Sequence, residues 1–322
     1  MTETTTGVLR SDIAAVIIGR NEGDRLVRCL QALPEGLARI IYVDSGSTDG
    51  SVAAARAAGA EVVELDMSIP FTAARARNAG LACLGAEAGV QFVQVIDGDC
   101  ELQDGWLETA GAFLRDNREV AVVAGRLRER FADATVWNRL ADAEWAAAAG
   151  EADAVGGVAL LRHAAVRTAG YYRADLVAGE EPELCLRLRR AGWKIWRLEA
   201  EMALHDIAMT RFGQWWRRAA RNGRAIAEGA SLHGRGDERY RVAETRRALI
   251  WGAAVPLVAL AGAILTPWAL LVLMAWPAQV LRLRLRGMGW ERAFFLTLGK
   301  LLEAQGVLGY RARQLIRPAD TS

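Results

Sequence analysis

The chain reads as an α/β protein, a mostly parallel sheet flanked by helices, followed by a C-terminal helical module suited to a membrane. Three observations predict this. Apolar runs alternate with helical patterns through the first hundred residues, two of those runs end in acid-rich loops, and residues 248–281 form 34 positions without a charge.

Residues 13–18 are continuously apolar, as a parallel strand buried on both faces requires. They lead into the polar turn Gly19-Arg20-Asn21-Glu22-Gly23. A helical pattern carried by Leu26, Val27, Leu30 and Leu33 stops at Pro34 and Gly36. Residues 40–43 form a second strand that ends in Asp44-Ser45-Gly46-Ser47-Thr48-Asp49-Gly50. An alanine-rich helix over 51–58, a strand over 61–65, a helix over 71–85 and a strand over 91–96 follow. This βαβαβαβ order predicts parallel pairing with helices on both faces.

The fourth strand runs into Asp97-Gly98-Asp99. Open α/β sheets hold ligands beyond the carboxyl ends of their strands, so this loop and the Asp44 loop belong on one rim. Two hard carboxylates on one turn suit Mg²⁺ or Mn²⁺ carrying a phosphate, and Gly98 lets a ligand approach the backbone closely. Taken alone, the same three residues also read as a solvated turn. No Gly-x-Gly-x-x-Gly follows the first strand and no P-loop lysine is present, which disfavours a dinucleotide oxidoreductase or a P-loop NTPase.

Composition narrows the classes further. The formal net charge is +2, which gives no sign of a nucleic-acid binder, and only Lys194 and Lys300 are lysines. Cys29, Cys83, Cys100 and Cys185 are scattered without a Cys-x-x-Cys pair, as in a reducing compartment. Residues 1–12 are polar and lack the apolar run of a secretory leader.

Four segments in order, Ile17-Ile18-Gly19-Arg20-Asn21-Glu22, Val43-Asp44-Ser45-Gly46-Ser47-Thr48-Asp49-Gly50, Ala76-Arg77-Asn78-Ala79-Gly80 and Asp97-Gly98-Asp99, resemble the family 2 glycosyltransferases of the GT-A fold. The resemblance implies transfer of a sugar from a nucleotide diphosphate donor, UDP being common in the family, with Mg²⁺ or Mn²⁺. It implies that Gly19, Arg20, Asn21, Glu22, Asp44 and Ser45 hold the nucleobase and ribose, and that Arg77 and Asn78 close the nucleotide pocket. Asp97 would face the ribose across Gly98, and Asp99 would hold the metal on the diphosphate. Asp44 and Asp49 also suit capping of the next helix, and Arg77 could be a solvated helix residue.

The resemblance continues past residue 150. Gly156-Gly157 and Ala169-Gly170-Tyr171-Tyr172 precede Gly179-Glu180-Glu181-Pro182, and a helix of about ten residues is framed by Pro182 and Gly192. In the family an acidic pair here supplies the general base. The second member is usually Asp, and Glu181 departs from that; the base is Glu181 or Glu180. Acids at this helix start also suit its dipole. His205, past a strand over 193–196, matches the family's third metal ligand, and attack opposite the leaving group would invert the anomeric centre. Gln214 and Arg217 match part of the Gln-x-x-Arg-Trp motif of processive members such as cellulose and chitin synthases, but Arg218 stands where the tryptophan belongs, which argues for transfer of a single sugar. Arg217, Arg221 and Arg224 share one helical face, suited to a diphosphate, to anionic lipid or to solvent.

Arginines flank the uncharged block at 246, 247, 282, 284 and 286, which places both its ends in the cytoplasm. It is long for one spanning helix and short for two, and fits a spanning or re-entrant hairpin turning near Thr266-Pro267-Trp268. Residues 290–310 read as an amphipathic helix on the membrane surface. The expected organisation is a catalytic domain over 1–210 (nucleotide half 1–100, acceptor half 101–210), basic connecting helices over 211–247 and a membrane module over 248–322. The catalytic domain would face the cytoplasm at the inner or plasma membrane, acting on a lipid-linked or other glycan acceptor in exopolysaccharide or cell-envelope synthesis. The alternatives are a non-catalytic sugar-nucleotide-binding protein and a nucleotidyltransferase.

Overall fold

The computed structural model describes residues 10–85 and 89–316, and the first and last residues of the sequence-based domain reading lie outside them. The chain divides into two compact units, Met1–Ala208 and Met209–Ser322.

In the first unit the strands are β1 (Ile13–Gly19), β2 (Arg39–Asp44), β3 (Glu61–Glu64), β4 (Phe92–Asp97), β5 (Cys100–Leu102), β6 (Val120–Glu129), β7 (Gly150–Glu151), β8 (Ala159–Arg162) and β9 (Lys194–His205). The helices are α1 (Asp24–Gln31), α2 (Ser51–Ala57), α3 (Ala73–Leu84), α4 (Trp106–Asp116), α5 (Val136–Trp145), α6 (His163–Thr168) and α7 (Glu180–Arg190). They build one sheet in the order β3-β2-β1-β4-β8-β6-β9-β5, with β7 on β9. The first four strands are parallel, as the alternation predicts. β8 then enters antiparallel to both β4 and β6, so the whole sheet is mixed.

β1 lies at the centre of the parallel half, and Ile13 to Ile17 are completely buried. It is packed on both faces, which is why no polar residue interrupts it. The polar exception in β4 is Gln94, fully buried. Its amide donates to the Val95 carbonyl at 2.8 Å and accepts the Trp106 indole N–H at 2.9 Å, so the interruption is satisfied. α3 starts at Thr72, whose hydroxyl caps the Arg75 N–H. It crosses β1 and β2 at Gly80, where a Cβ would lie 2.4 Å from Val16 Cγ1. The close approach requires glycine.

Register sets the rim. Gly19 pairs with Asp44 and Ile18 with Asp97, so the ends of β2 and β4 lie on either side of the end of β1. The strand predicted over 193–196 is the start of a longer one: β9 continues to His205, parallel to β6 and antiparallel to β5. Cys100 pairs with His205 in that ladder.

The second unit contains α8 (Phe212–His233), α9 (Val242–Leu249), a π-helical turn (Ile250–Ala254), α10 (Val255–Ala263), a 3₁₀ stretch (Pro267–Met274), α11 (Ala275–Leu285) and α12 (Trp290–Ile316). Two stretches, Val242–Ala263 and Pro267–Leu285, are long and apolar enough to cross a membrane. At 1.5 Å per residue the first measures about 33 Å, the thickness of a bilayer's hydrocarbon core. The chain turns between them at Thr266, which is extended (φ −154°, ψ 131°), as a residue before proline must be. Ile264, Leu265 and Trp268 at this turn are 86%, 89% and 76% exposed.

α12 is more than a surface helix. Its small-residue face meets α8 so closely that a Cβ on Gly306 would lie 2.0 Å from the Ala220 carbonyl oxygen, and one on Gly223 would lie 2.1 Å from that of Glu303. Gly252 in the π turn packs equally close to the Lys300 carbonyl. Phe294, Leu296 and Leu308 remain exposed.

Candidate active site

The rim beyond β1, β2 and β4 is built from interlocked loops. Asn21, held at φ 55°, accepts the Thr48 N–H at 2.7 Å and donates its own N–H to Ser47 Oγ at 2.9 Å. Asparagine tolerates this left-handed backbone better than most residues. Asp44 is buried, and its Oδ2 accepts the Gly46 and Ser47 N–H groups at 2.9 Å each, while the Tyr42 hydroxyl donates to Oδ1 at 3.2 Å. Burial pushes the Tyr42 hydroxyl well up, keeping it a donor. Ser45 is also buried, with its Oγ unpartnered. Gly19 leaves room for Glu22 and Tyr42, since a Cβ there would lie 3.0 Å from Glu22 Cγ. Arg20 is exposed. Glu22 pairs with Arg25 at 2.6 Å. Burial raises its carboxyl, and the charge of Asp99 adds to that.

Gly98 donates to the Ile18 carbonyl at 2.8 Å and packs on Glu22 and Leu26. This folds Asp97 and Asp99 to different tasks. Asp99 Oδ2 lies 3.1 Å from His205 Nε2, a contact across 106 residues made by the β5–β9 ladder. Burial raises the Asp99 carboxyl, but the His205 imidazole and Arg25 outweigh it and hold it below the usual carboxylate range. Burial likewise lowers His205, and Asp99 outweighs that, so the imidazole sits above its usual value. The His205 ring stacks at 4.7 Å on Trp145, and its buried Nδ1 has no hydrogen-bond partner.

Asp99, Cys100 and His205 bring three ligand-type atoms within 4.8 Å of one another. Burial pushes the Cys100 thiol well up, with Asp99 and Asp97 adding to it. A neutral buried thiol is a poor ligand. The carboxylate and imidazole, a hard oxygen and a borderline nitrogen, fit Mn²⁺ or Mg²⁺ in part. The uncommitted Nδ1 leaves the His205 tautomer free to present Nε2.

Asp97 turns the other way, accepting Arg77 Nη2 at 2.9 Å. Arg77 is 2% exposed and is not a solvated helix residue. Its Nη1 donates to Glu180 Oε1 at 2.8 Å and lies 3.0 Å from Glu181 Oε1, and its guanidinium stands 5.7 Å over the Tyr172 ring. One cation thus holds three carboxylates. Burial raises Glu181 to about 7, against the pull of Arg77 and with help from Glu180. Gly157 closes this cluster, since a Cβ there would lie 2.3 Å from Arg77 Nη2 and 3.0 Å from Glu181 Oε1. Beside Glu181 a small cavity is walled by Val122, Leu161, Tyr172 and Leu184.

Asn78 spends its amide on the chain. It donates to the Tyr172 carbonyl at 2.8 Å and accepts the Tyr172 N–H at 3.0 Å, clamping α3 to the loop before α7. Gln214 and Arg217 lie in the second unit. The Gln214 side chain accepts the Thr210 and Arg211 N–H groups at 2.9 and 2.8 Å, capping α8, and Arg217 is exposed. Sequence reasoning passed over Tyr42, Trp145 and Glu129. The Glu129 carboxylate is buried and accepts Asn138, Phe131 and Ile207, which ties α5 and the residues after His205 together. Its only local signal was an acid at the end of a strand whose last residues also include Arg126 and Arg128.

Residues 14–168 match the family described as Glycosyl transferase family 2. The match stops before α7 and covers just under half of the chain. A mannosyltransferase from Pyrobaculum calidifontis, solved with GDP-Man and Mn²⁺, has a similar fold: TM-score 0.63 at 18% identity, over 92% of this chain and 87% of that one. S. aureus TarS 1-349 is similar at TM-score 0.54 and 14% identity, over 95% of this chain and 93% of that one. These likenesses establish the GT-A fold. A TPR repeat-containing protein of Synechococcus elongatus is 31% identical over 103 residues, 32% of this chain and 24% of that protein, so the match spans about a quarter of its length.

Proposed function

We propose that this glycosyltransferase moves one sugar from a nucleotide diphosphate sugar, UDP-sugar first among candidates, to a hydroxyl of a membrane-associated acceptor such as a lipid-linked glycan. The observation that carries the reading is the Asp97-Gly98-Asp99 loop, with His205 beside Asp99 and the acidic pair tied to Asp97 through Arg77. The family match and the two similar folds, one solved with GDP-Man and Mn²⁺, support it.

Asp44, Ser45 and the loop from Gly19 to Glu22 bind base and ribose, and Asp97 faces the ribose. Asp99 and His205 would hold the divalent cation, which supplies charge neutralisation for the diphosphate when bound. Glu181 takes the proton of the acceptor hydroxyl as that oxygen bonds to the anomeric carbon and the bond to the diphosphate breaks. The nucleoside diphosphate leaves from the opposite face, so the centre inverts. A carboxyl with a pKa of about 7 matches this task at neutral pH. Arg77 offsets part of the burial that raises Glu181 and fixes the direction of its carboxylate. The uncharged hairpin with arginines at both ends supports a membrane-bound enzyme whose catalytic unit faces the cytoplasm, in cell-envelope or exopolysaccharide synthesis.

Calorimetric titration of the detergent-purified chain with UDP and GDP, each with Mn²⁺, with EDTA and in Asp99→Ala, tests the donor site. Metal-dependent binding of one nucleotide, lost in the variant, is expected. Binding indifferent to both EDTA and the variant would defeat the assignment of Asp99. Turnover abolished in Glu181→Ala with nucleotide binding intact separates catalysis from mere binding, and pyrophosphate released from a triphosphate would mark a nucleotidyltransferase.

A further inference from the structure

The second unit contains a groove of about 500 Å³ that the transfer reaction does not use. Its walls are Ala227 of α8, Leu249 at the end of α9, and Ile250 and Ala254 of the π turn. Arg246 and Arg311 stand at its rim, both exposed, and neither meets a carboxylate among the described residues. No acid is among the residues that line it. Ser231, Thr245, Tyr310 and Gln314 complete the lining, so the groove joins an apolar wall to a polar wall that carries two cations.

Two features say what would lie there. Arg246 and Ala254 are eight residues apart on one helical stretch, so the cationic end and the apolar end are separated by about 12 Å. That is the layout of an amphiphile with one anionic head. The apolar wall is also continuous with the candidate span, whose next turn presents Leu257, Val258 and Leu260 at 63%, 59% and 61% exposure. A bilayer-embedded chain lying along the span would have its head beside Arg246 and Arg311, near the headgroup level where arginine meets anionic lipid. The groove wall includes a π-helical turn, Ile250–Ala254, a feature frequent at functional sites.

We propose that this groove binds an anionic glycerophospholipid of the surrounding bilayer, its phosphate between Arg246 and Arg311 and its first acyl carbons against Leu249, Ile250 and Ala254. The inference rests on the membrane part of the function proposed above, and on none of its donor chemistry.

The test uses the full chain in a neutral detergent, titrated with short-chain phosphatidylglycerol, short-chain phosphatidylcholine and inorganic phosphate. Affinity is read from the rise in the melting midpoint. Phosphatidylglycerol is expected to raise it, and phosphatidylcholine and phosphate to leave it in place. In Arg246→Gln/Arg311→Gln the phosphatidylglycerol affinity falls about 30-fold, two arginines each contributing about fivefold. Arg282→Gln/Arg286→Gln removes the same charge at the far end of the hairpin and stays within about threefold of wild type. Ala230→Phe, which narrows the groove and keeps both arginines, also loses the lipid, and it decides the matter should the double variant not fold. Equal response to phosphatidylcholine, equal loss in the two arginine pairs, or equal stabilisation by inorganic phosphate would each overturn the proposal. No nucleotide sugar enters the assay, so transfer activity can fail or succeed without affecting the result.

Discussion

Replacing Arg77 by methionine removes one cation and leaves three carboxylates facing each other. The side chain is 3% exposed, and Glu180 and Glu181 are 6% and 18% exposed, so solvent screens the cluster little. Breaking a buried ion pair from one side costs about 3–5 kcal/mol, a large share of the stability of an ordinary domain. The loss should depend on pH. Glu181 has a folded-state value raised to about 7 in the native protein. A raised carboxyl favours the fold while protonated, and that advantage fades as pH rises through the folded value. Without Arg77 the value climbs further, so the variant should be penalised most above pH 8 and least near pH 5. Guanidinium unfolding at pH 5 and pH 8.5 measures this, with hydrogen exchange of peptides from α3 and α7 assigning the transition to this unit. A loss below about 1 kcal/mol, or one equal at both pH values, would refute the role given to Arg77.

Other outcomes follow from the same geometry. The acid limb of kcat/KM should fall near pH 7, and Glu181→Gln should lower kcat by about 10²–10⁴ and abolish that limb; a variant that keeps the limb places the base elsewhere. His205→Ala should weaken Mn²⁺-dependent nucleotide binding by at least about tenfold in calorimetry. Gly157→Ala should displace the Arg77–Glu181 pair and lower kcat while leaving nucleotide affinity within about threefold, because its Cβ reaches the acidic cluster and not the Asp44 loop. Gly306→Ala should cost about 1–3 kcal/mol by forcing α12 off α8. Gly309→Ala, whose Cβ meets only the Arg313 side chain at 3.9 Å, should gain about 0.5–1 kcal/mol from helix propensity; chemical denaturation compares the two.

The parallel half of the sheet was legible because a doubly buried strand leaves an unbroken apolar run, and 13–18 is such a run. The acid loops were legible because they break such runs. The Asp99–His205 contact was foreseen only through family resemblance, since no local pattern in 194–205 reports a strand that pairs with β5 a hundred residues earlier. Arg77 carries two readings in sequence, solvated or buried, and only the arrival of Glu180 and Glu181 from α7 decides between them. Asn78 shows the reverse. A polar residue in a functional motif turned out to hold the backbone of Tyr172, a partner 94 positions away. α12 looked like a surface helix because its small residues carry little hydrophobicity, yet glycine's value at a helix crossing lies in what it omits.

The ladder that joins Cys100 to His205 also fixes when the rim can be finished. Synthesis delivers β1 to β4 and both acid loops within the first hundred residues, and nothing in that stretch supplies an imidazole to Asp99. A chain halted anywhere before residue 205 therefore holds the acids and lacks the imidazole, and the outer strand β5 has no partner. Only when β9 emerges does it pair with β5 and β6 and bring His205 to the rim. The uncharged hairpin begins some forty residues later. The order of the sequence thus completes the Asp99–His205 pair before the segment that would commit the chain to a bilayer has been made.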